Sequence, residues 1–495
     1  MVPEKFCMNN APFTYHHLYK YNTRGLYSFC QLPPPFLSCR VLSVEEKMSD
    51  KHVVIVGAGP VGVFNAILLA KRNFKVSVYE KRQDIRRVPP IKDRRTVNLA
   101  LSCRGMDALR HVGLEREITP YQVPMFSRMV HKVDGTLHPL NYGRKEQSIL
   151  STQRNKLNEI LLDAAEKFPN VTCYFEHILT GCNLQQGDLE FLHNEKKIHV
   201  HADLILGNDG AHSTIRRHMM ESTLMDIHQY YVPYGYIELE VARTKDNNFA
   251  MDSNYLHLWP RDEFLMLCTA NWDRTFNIVL FMTFNTFANL KTEIDVVQFF
   301  KQHFPDALPL VGEQNLRKSF SSWRPCPMIT IKCLPYHVGD KALIMGDAAH
   351  AMLPFLAQGV NSGFEDCMIL NDILDQHKDN FATALPEYTK RRYKDAHAVC
   401  DLTIYNFLEM RSLVNKRSFR IRKKLDNVMH TILPNTWIPL YSMVAFTNTG
   451  YHLCKERRKQ QDWILNCILF FSMVLIIGLF LLMAYHLFDS QHLAY

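Results

Sequence analysis

Residues 52–62 read HVVIVGAGPVG, a short β-branched apolar run followed at once by G-x-G-x-x-G. The run predicts a buried strand, and the residues after it, through Ala70, have the pattern of an apolar helix. In such a strand–turn–helix unit Gly57 permits the tight turn, Gly59 lets a pyrophosphate approach the backbone, and Gly62 lets helix and strand pack closely. The helix N-terminus adds free N–H groups and a partial positive charge. The sequence therefore predicts an α/β fold with a dinucleotide site.

A second predicted strand, KVSVYE at residues 75–80, ends in an acidic residue at the place where the ribose of a dinucleotide would lie. The carboxylate of Glu80 would accept hydrogen bonds from the ribose hydroxyls and repel a 2′-phosphate. The predicted site therefore does not take NADP. The fingerprint by itself does not distinguish FAD from NAD.

Composition limits the class of protein. Of 495 residues, 47% are hydrophobic and 21% are charged, which excludes a disordered, collagen-like or coiled-coil chain. Lys and Arg total 57 against 49 Asp and Glu, and this excess of +8 is too modest to indicate a nucleic-acid partner. The 13 cysteines are scattered and include no C-x-x-C, so we expect neither a disulfide framework nor a metal site.

The two ends of the chain differ in character. Residues 1–47 show no clear period, and we expect a mobile extension or a start-site artefact, with a weak mitochondrial presequence as the alternative. Residues 464–488 contain no Asp, Glu, Lys or Arg. As a helix they would extend ~37 Å, enough to cross a ~30 Å hydrocarbon layer. We therefore expect a transmembrane tail anchor rather than a buried core helix. Basic residues within 455–459 place the N-terminal part in the cytosol.

A basic run at residues 416–424 contains six Lys or Arg and no acidic residue. It is typical of a solvated helix face, and its proximity to the anchor makes contact with anionic lipid an equal alternative.

Two later motifs follow predicted strands. Residues 202–208 form an apolar run that leads into DGAHS at 209–213, with Arg216 three positions further on. Residues 342–345 lead into GDAAH at 346–350, followed by Pro354. A helix is predicted to begin near Asn361.

The chain resembles the group A flavoprotein aromatic hydroxylases over about residues 50–450, because G-x-G-x-x-G, D-G-x-x-S-x-x-R and G-D-A-A-H-x-x-x-P occur in that order. The resemblance implies the para-hydroxybenzoate hydroxylase fold: a Rossmann-like FAD-binding domain with an inserted mixed or antiparallel β-sheet substrate domain, C-terminal helices and, here, a C-terminal transmembrane helix. The expected FAD-binding segments are 48–120, 149–222 and 325–380. The substrate domain takes 121–148 and 223–324, and the helical region 381–460.

The resemblance implies that FAD is the bound cofactor. Asp347 at a strand end would bind ribityl hydroxyls, and the helix start at residues 359–361 would face the flavin pyrimidine edge. One departure is Ala357, where the family usually has glycine; His350 is expected to be structural. The expected cofactor contacts are Gly57, Gly59, Val61, Gly62, Tyr79, Glu80, Lys81, Arg82, Ala100, Arg154, Leu179, Asp209, Asp347, Pro354, Gly359, Val360 and Asn361.

A closer resemblance is to the kynurenine 3-monooxygenase family, carried by VNLALS at 97–102, YLHLWP at 255–260, GFEDC at 363–367 and IPLY at 438–441. It implies substrate binding by Arg128, Tyr142, Asn406 and Tyr441. An arginine suits this substrate because kynurenine carries a carboxylate, which a guanidinium can bind bidentately. Surface exposure of Arg128, and an apolar packing or membrane-skimming role for the segment around Tyr441, are the alternatives.

The implied reaction is hydroxylation of L-kynurenine to 3-hydroxykynurenine by NADPH and O2 through a C4a-hydroperoxyflavin, in tryptophan degradation and NAD biosynthesis. With no second G-x-G-x-x-G, NADPH would bind transiently. The flavin hydroperoxide would do the chemistry, and any catalytic side chain is left unassigned. The implied location is the mitochondrial outer membrane. The alternatives are a membrane-tethered hydroxylase of a quinone precursor or lipid ring, and a non-catalytic flavin-binding scaffold on the membrane.

Overall fold

The computed structural model describes residues 49–88, 98–143 and 146–492, with side chains through residue 484. The expectation for residues 1–47 lies outside these ranges. The strands are His52–Val56 (β1), Lys75–Glu80 (β2), Leu99–Leu101 (β3), Gln122–Met125 (β4), Ser127–His131 (β5), Leu137–Asn141 (β6), Ile149–Thr152 (β7), Val171–Phe175 (β8), Ile178–Asn183 (β9), Asp188–His193 (β10), Lys196–His201 (β11), Leu204–Gly207 (β12), Asp226–Val241 (β13), Tyr255–Arg261 (β14), Phe264–Ala270 (β15), Phe276–Thr283 (β16), Cys326–Leu334 (β17), His337–Val338 (β18) and Ala342–Ile344 (β19). The α-helices are Pro60–Ala70 (α1), Cys103–Val112 (α2), Glu115–Ile118 (α3), Arg154–Ala165 (α4), Thr214–Ser222 (α5), Phe284–Asn289 (α6), Glu293–His303 (α7), Leu308–Val311 (α8), Glu313–Phe320 (α9), Asp347–His350 (α10), Gly359–Gln376 (α11), Phe381–Arg411 (α12), Arg417–Ile432 (α13), Leu440–Phe446 (α14) and Tyr451–His492 (α15).

A six-stranded sheet in the order β18-β19-β12-β1-β2-β8 forms the first layer. All its pairs are parallel except the edge pair β18–β19. Its central strands are almost entirely apolar because helices cover them, as expected of a parallel sheet. Because parallel strands end at one edge, β1, β12 and β19 bring all three sequence motifs to that edge. The Rossmann-like part of the prediction is confirmed.

A seven-stranded sheet in the order β17-β13-β16-β15-β14-β5-β6 forms the second layer. Its pairs are antiparallel except β5–β14, so the expected mixed sheet is present. The strand β17 begins at Cys326, beyond the boundary proposed at residue 325, yet it pairs with β13 in this sheet. Hydrogen bonding therefore places β17 with the second layer. Two three-stranded sheets, β11-β10-β9 and β3-β7-β4, complete the strands.

The C-terminal helices contact both layers. The 31-residue helix α12 packs against α11, α15 and β17. The helix α15 begins at Tyr451, well before the predicted start at residue 464, because its first turns pack on the folded part, with Tyr451 and Cys454 fully buried. From Ile468 to Ala484 every residue of α15 is exposed, and residues 451–484 are long and apolar enough to cross a membrane.

The cysteines of the described ranges all carry free thiols.

Candidate active site

A cavity of about 350 Å³ lies between the two large sheets, at the edge where the three motifs meet. It extends from the α1 loop to α14. Its lining includes Gly59, Val61, Ala100, Arg128, Arg154, Asp347, Pro354, Gly359, Val360 and Tyr441, together with apolar residues of the seven-stranded sheet. The structure thus brings ten of the expected site residues to one cavity, although they come from seven separate segments of the chain.

The glycine-rich loop has the shape that the fingerprint predicts. Gly57 has a φ of +106°, and a Cβ there would lie 2.5 Å from the carbonyl oxygen of Asn208. A Cβ on Gly62 would lie 2.0 Å from the carbonyl oxygen of Gly57, so these two positions need glycine for close packing. A Cβ on Gly59 would meet nothing within 4 Å. That open space, at the N-terminus of α1, is where a pyrophosphate can approach.

The acidic end of β2 stabilises this loop. A Glu80 carboxylate oxygen accepts a hydrogen bond from the Ala58 N–H (2.9 Å), and the other accepts one from the Arg82 N–H (3.0 Å). The Tyr79 ring packs between Tyr174 and Phe191, and burial raises the pKa of its hydroxyl to about 12. Lys81 and Arg82 are exposed, and none of residues 79–82 lines the cavity.

Asp209 stabilises α5 rather than facing the cavity. Its carboxylate accepts hydrogen bonds from the Ser213 hydroxyl (2.6 Å) and the Thr214 N–H (2.6 Å). In the same motif the buried Arg216 guanidinium donates to the carbonyl oxygens of Ala211 and Ala348, both at 2.6 Å. This second motif therefore connects α5 and the segment after β12 to α10.

Asp347 is the acidic group of the cavity. Its neighbours on both sides in sequence are buried, yet Asp347 itself is exposed, because it faces into the cavity. The protein atoms that enclose the cavity desolvate the carboxylate and raise its pKa, and the positive charge of Arg154 partly offsets that effect. These two side chains offer an acceptor and a cation to one polar ligand.

The loop before α11 is held by one side chain. Asn361 is fully buried; its Oδ1 accepts from the Ser102 N–H (2.9 Å), and its Nδ2 donates to the carbonyl oxygens of Ala100 (2.8 Å) and Ala357 (2.7 Å). Ala357 has a φ of +54°, the left-handed conformation that glycine adopts freely. The departure from the family pattern therefore preserves the local backbone shape at a cost of about 1 kcal/mol.

Leu179 lies outside the cavity. It is on β9, paired with Phe191 of β10 and packed on the core of the first layer. His350 is also away from the cavity, since its Nε2 lies 2.7 Å from the Asp366 carboxylate in the protein interior. This contact agrees with the structural role expected for His350.

Arg128 lies at the other end of the cavity, on β5, and is only 2% exposed. Its Nη1 donates to Glu409 Oε1 (2.9 Å) and its Nη2 to Asn406 Oδ1 (3.4 Å). Its guanidinium lies over the Tyr441 ring at 4.8 Å, and that ring stacks on Tyr142, also at 4.8 Å. All four expected substrate residues are therefore gathered around one guanidinium, and the exposed-arginine alternative is wrong.

Some donors in this cluster remain available. Within the described part of the chain, neither the buried Arg128 Nε nor the Tyr142 hydroxyl has a hydrogen-bond partner of good geometry. Burial holds the pKa of Tyr142 well above its usual range, so the hydroxyl keeps its proton. Buried polar groups are normally paired, so the Arg128 Nε at the cavity indicates a polar ligand, whereas the Tyr142 hydroxyl lies outside the cavity lining and interacts with Tyr441.

Glu409 was not among the expected site residues. It follows Asn406 by three positions on α12, so both side chains point from one face of the helix toward Arg128. The i, i+3 spacing of two polar residues beside apolar neighbours was the available signal. Without the position of β5, that spacing does not identify a partner.

The cavity suits an extended flavin dinucleotide. The open backbone at Gly59, the carboxylate of Asp347 and the helix start at Gly359 all line it. They match in order a pyrophosphate, a ribityl chain and an anionic ring edge. The residues present therefore fit FAD.

Comparisons with known proteins agree with this geometry. A family model described as FAD binding domain matches residues 50–403. An Anopheles gambiae protein named kynurenine 3-monooxygenase is 45% identical over 421 residues, which cover 84% of this chain and 86% of that protein. A Sus scrofa protein of the same name is 44% identical over 420 residues, covering 85% and 89%.

A solved structure shows the same fold at low identity. The tetrameric form of 2-methyl-3-hydroxypyridine-5-carboxylic acid oxygenase matches with a TM-score of 0.61 and 19% identity, covering 80% of this chain and 96% of that one. The cofactor of the fold is FAD, and NADPH and O2 are the typical co-substrates of such hydroxylases. With curated relatives above 40% identity over most of its length, this chain belongs to the kynurenine 3-monooxygenase family of FAD-dependent monooxygenases.

Proposed function

We propose that the protein hydroxylates the aromatic ring of L-kynurenine to give 3-hydroxykynurenine, consuming NADPH and O2. The observation that carries this proposal is Arg128, a buried guanidinium with unused donors at one end of a largely apolar cavity. A guanidinium in that setting selects a ligand that joins a carboxylate to an apolar body. The names of the relatives identify kynurenine as such a ligand.

FAD would be held by the α1 loop, by Asp347 and Arg154, and by the helix start at Gly359 and Val360. When bound, it supplies hydride acceptance and the activation of O2. The N-terminus of α11 places backbone N–H groups and a positive dipole where negative charge would develop on a flavin ring.

The substrate would be oriented from its amino-acid end. Arg128 lines the cavity, and its Nε would bind the carboxylate, while Glu409 and Asn406 lie outside the cavity lining and accept hydrogen bonds from the same guanidinium. Tyr441 stacks on Tyr142 and lies under Arg128, so it fixes the direction of the guanidinium fork. This arrangement would direct the aromatic ring of the substrate along the cavity toward Asp347 and Gly359.

The apolar wall between these ends excludes water. It includes Leu256, Leu267, Val279 and Phe281 of the seven-stranded sheet, and Phe355 of the loop before α11. A dry wall suits an oxygenase because water competes with the substrate for activated oxygen.

The direct test is mass analysis of the product after incubation of the purified protein with L-kynurenine, NADPH and O2. We expect one added oxygen and NADPH oxidation that depends on L-kynurenine. Oxidation of a quinone precursor or lipid ring without turnover of L-kynurenine would favour the second hydroxylase. A yellow protein that consumes no NADPH under either condition would favour the non-catalytic scaffold.

The membrane location that we propose is the mitochondrial outer membrane, with the folded part in the cytosol. The single candidate span of the described residues supports anchoring, and the basic residues at 455–459 precede its exposed apolar section. Protease digestion of intact mitochondria tests the location: we expect loss of the folded part while matrix proteins survive. Survival of the folded part would contradict it.

Raising the pH through about 8 is expected to remove one positive charge near Arg128. Burial lowers the pKa of Lys423 to about 8, and the charge of Arg128 acts in the same direction, while Glu409 and Asp426 oppose it. Because its pKa is lowered, Lys423 carries its charge at pH 7 and loses it as the pH rises. At pH 7 we expect Lys423→Met to raise the KM for L-kynurenine about three- to tenfold.

The measurement is the ratio of KM values of Lys423→Met and the wild type across pH 7 to 9. The ratio should fall toward one above about pH 8. Because both enzymes act on the same substrate, any titration of the substrate itself cancels in the ratio. The exposed Lys245, which lies outside α13 and the cavity, is the control when replaced by Met and should give a ratio near one throughout. A pH-independent ratio for Lys423→Met would contradict the assignment.

A further inference from the structure

The helix α13 has one face held by the protein and one face with no protein partner among the described residues. Its exposed apolar residues are spaced four, three and four positions apart, so they form a single stripe. They are Ile421 (59% exposed), Leu425 (39%), Val428 (54%) and Ile432 (66%). Large apolar side chains in a continuous exposed row are unusual for a surface that faces only water.

Basic residues flank this stripe on one side. Arg417, Arg420 and Lys424 are exposed and follow one another at three- and four-residue spacing. Helical geometry places them next to Val428 and Ile421 along the stripe. An apolar stripe with a basic border is the pattern of a helix that lies in the plane of an anionic membrane surface.

Side chains on the opposite face of α13 form hydrogen bonds and ion pairs with the part of α15 that directly precedes the membrane span. Arg422 Nη2 donates to Asp462 Oδ1 of α15 at 2.9 Å, and Arg458 Nη1 of α15 donates to Asp426 Oδ2 at 3.0 Å. The Trp437 Nε1 donates to the other oxygen of Asp426, also at 2.9 Å. These contacts join α13 to the last charged turns of α15.

Those turns mark the level at which the bilayer begins. Trp463, directly after Asp462, is 69% exposed, and the continuous exposed apolar section of α15 begins about one turn later, at Ile468. An exposed tryptophan beside the first apolar residues of a span is typical of the headgroup region. Because Arg422 pairs with Asp462, α13 is held at that same level.

We propose that α13 is an in-plane membrane-docking helix whose stripe of Ile421, Leu425, Val428 and Ile432 enters the acyl boundary, while Arg417, Arg420 and Lys424 bind anionic phospholipid headgroups. The proposal rests on anchoring by α15 but not on the identity of the substrate. The occupant is the bilayer and not a protein, because the basic border matches anionic lipid and the ion pairs continue directly into the span.

Docking has a consequence for the active site. The inner face of α13 carries Lys423, which is within electrostatic range of Arg128 and Glu409. A bilayer that binds the outer face of α13 would therefore also fix Lys423 near the end of the cavity where Arg128 lies.

The test uses the full chain in nanodiscs that contain a phospholipid with a photoreactive diazirine near its glycerol group. After illumination, mass spectrometry compares lipid adducts on peptides from α13, from residues 464–484 and from the exposed segment around Leu224, which is 96% exposed. With phosphatidylserine present we expect adducts on the α13 stripe as well as on the span. With phosphatidylcholine alone the α13 adducts should fall severalfold.

Matched variants separate docking from anchoring. Leu425→Glu combined with Val428→Glu should reduce α13 adducts about tenfold and leave those of the span unchanged, because a charge on the stripe opposes burial in lipid. Leu224→Glu should change neither. Adducts on α13 no more frequent than those around Leu224 in the wild type would overturn the proposal, as would cross-linking of α13 to a second copy of the chain. Adducts do not depend on turnover, so failure of the proposed reaction would be seen separately.

Discussion

Arg128→Met is expected to raise the KM for L-kynurenine about 100-fold, because it removes charge-assisted hydrogen bonds that together contribute about 3 kcal/mol. The side chain is buried at the end of the cavity and is far along the chain from the FAD-binding motifs. We therefore expect the flavin content of the purified variant to equal that of the wild type. KM is measured from NADPH oxidation, and flavin content from absorbance.

The substitution also leaves Glu409 without its cationic partner, which could by itself disturb the site. Arg128→Met combined with Glu409→Gln removes that unpaired charge and should still show the raised KM. Arg128→Lys keeps the positive charge but loses the bidentate donor geometry of the guanidinium, so its KM should lie between those of the wild type and Arg128→Met. The exposed Arg243, replaced by Met, is the control. A KM within about twofold of the wild type for both Arg128→Met variants would contradict carboxylate binding here.

Arg392→Met is expected to reduce the free energy of unfolding by about 3–5 kcal/mol, because it removes the guanidinium shared by Glu365 and the buried Asp366. Among the described residues, that leaves these carboxylates only the side chains of Arg104 and His350 as partners. Arg392 is fully buried on α12. Its Nε donates to Asp366 Oδ1 (2.6 Å), its Nη1 to Glu365 Oε2 (2.7 Å) and its Nη2 to the Ser362 hydroxyl (2.8 Å), all on α11.

The same network reaches the cofactor loop, since Asp366 also accepts from the Gly346 N–H at 2.9 Å, one residue before Asp347. We therefore expect Arg392→Met to lose FAD more readily on heating. Thermal unfolding and flavin release measure both effects. The adjacent Arg391 is exposed, so Arg391→Met is a matched control and should change the free energy of unfolding by less than about 0.5 kcal/mol. Equal unfolding temperatures for the two variants would contradict the role of this network.

Local stereochemistry made several features predictable from sequence. The turn at residues 57–62 needs glycine at Gly57 and Gly62, because a Cβ at either position would collide with backbone atoms. The sequence motif predicts this requirement without a structure. The membrane span at residues 464–488 was equally predictable, because a long stretch without charged residues seldom forms anything but a membrane helix. Only the start of α15 was misplaced, since its first turns are buried by α12 and α14 and not by lipid.

Side-chain direction was not predictable in the same way. Tyr79, Asp209 and Leu179 occupy positions that the family resemblance associates with FAD, but in this structure none of the three lines the cavity. Asp209 caps α5, and Tyr79 stacks on Tyr174 and Phe191. The side chain of a strand residue can pack into the core or face a ligand, and the positions of the neighbouring strands determine which of the two occurs.

By itself the sequence determined the strand–turn–helix units, the FAD-binding motifs and the apolar span, because each depends on residues close together in the chain. Only the tertiary structure decided how Arg128, Glu409 and Tyr441 meet, since Arg128 lies hundreds of residues before the other two and reaches them through sheet pairing and helix packing. It also decided which face of α13 stays uncovered, because that depends on the position of α15 and not on the periodicity of α13.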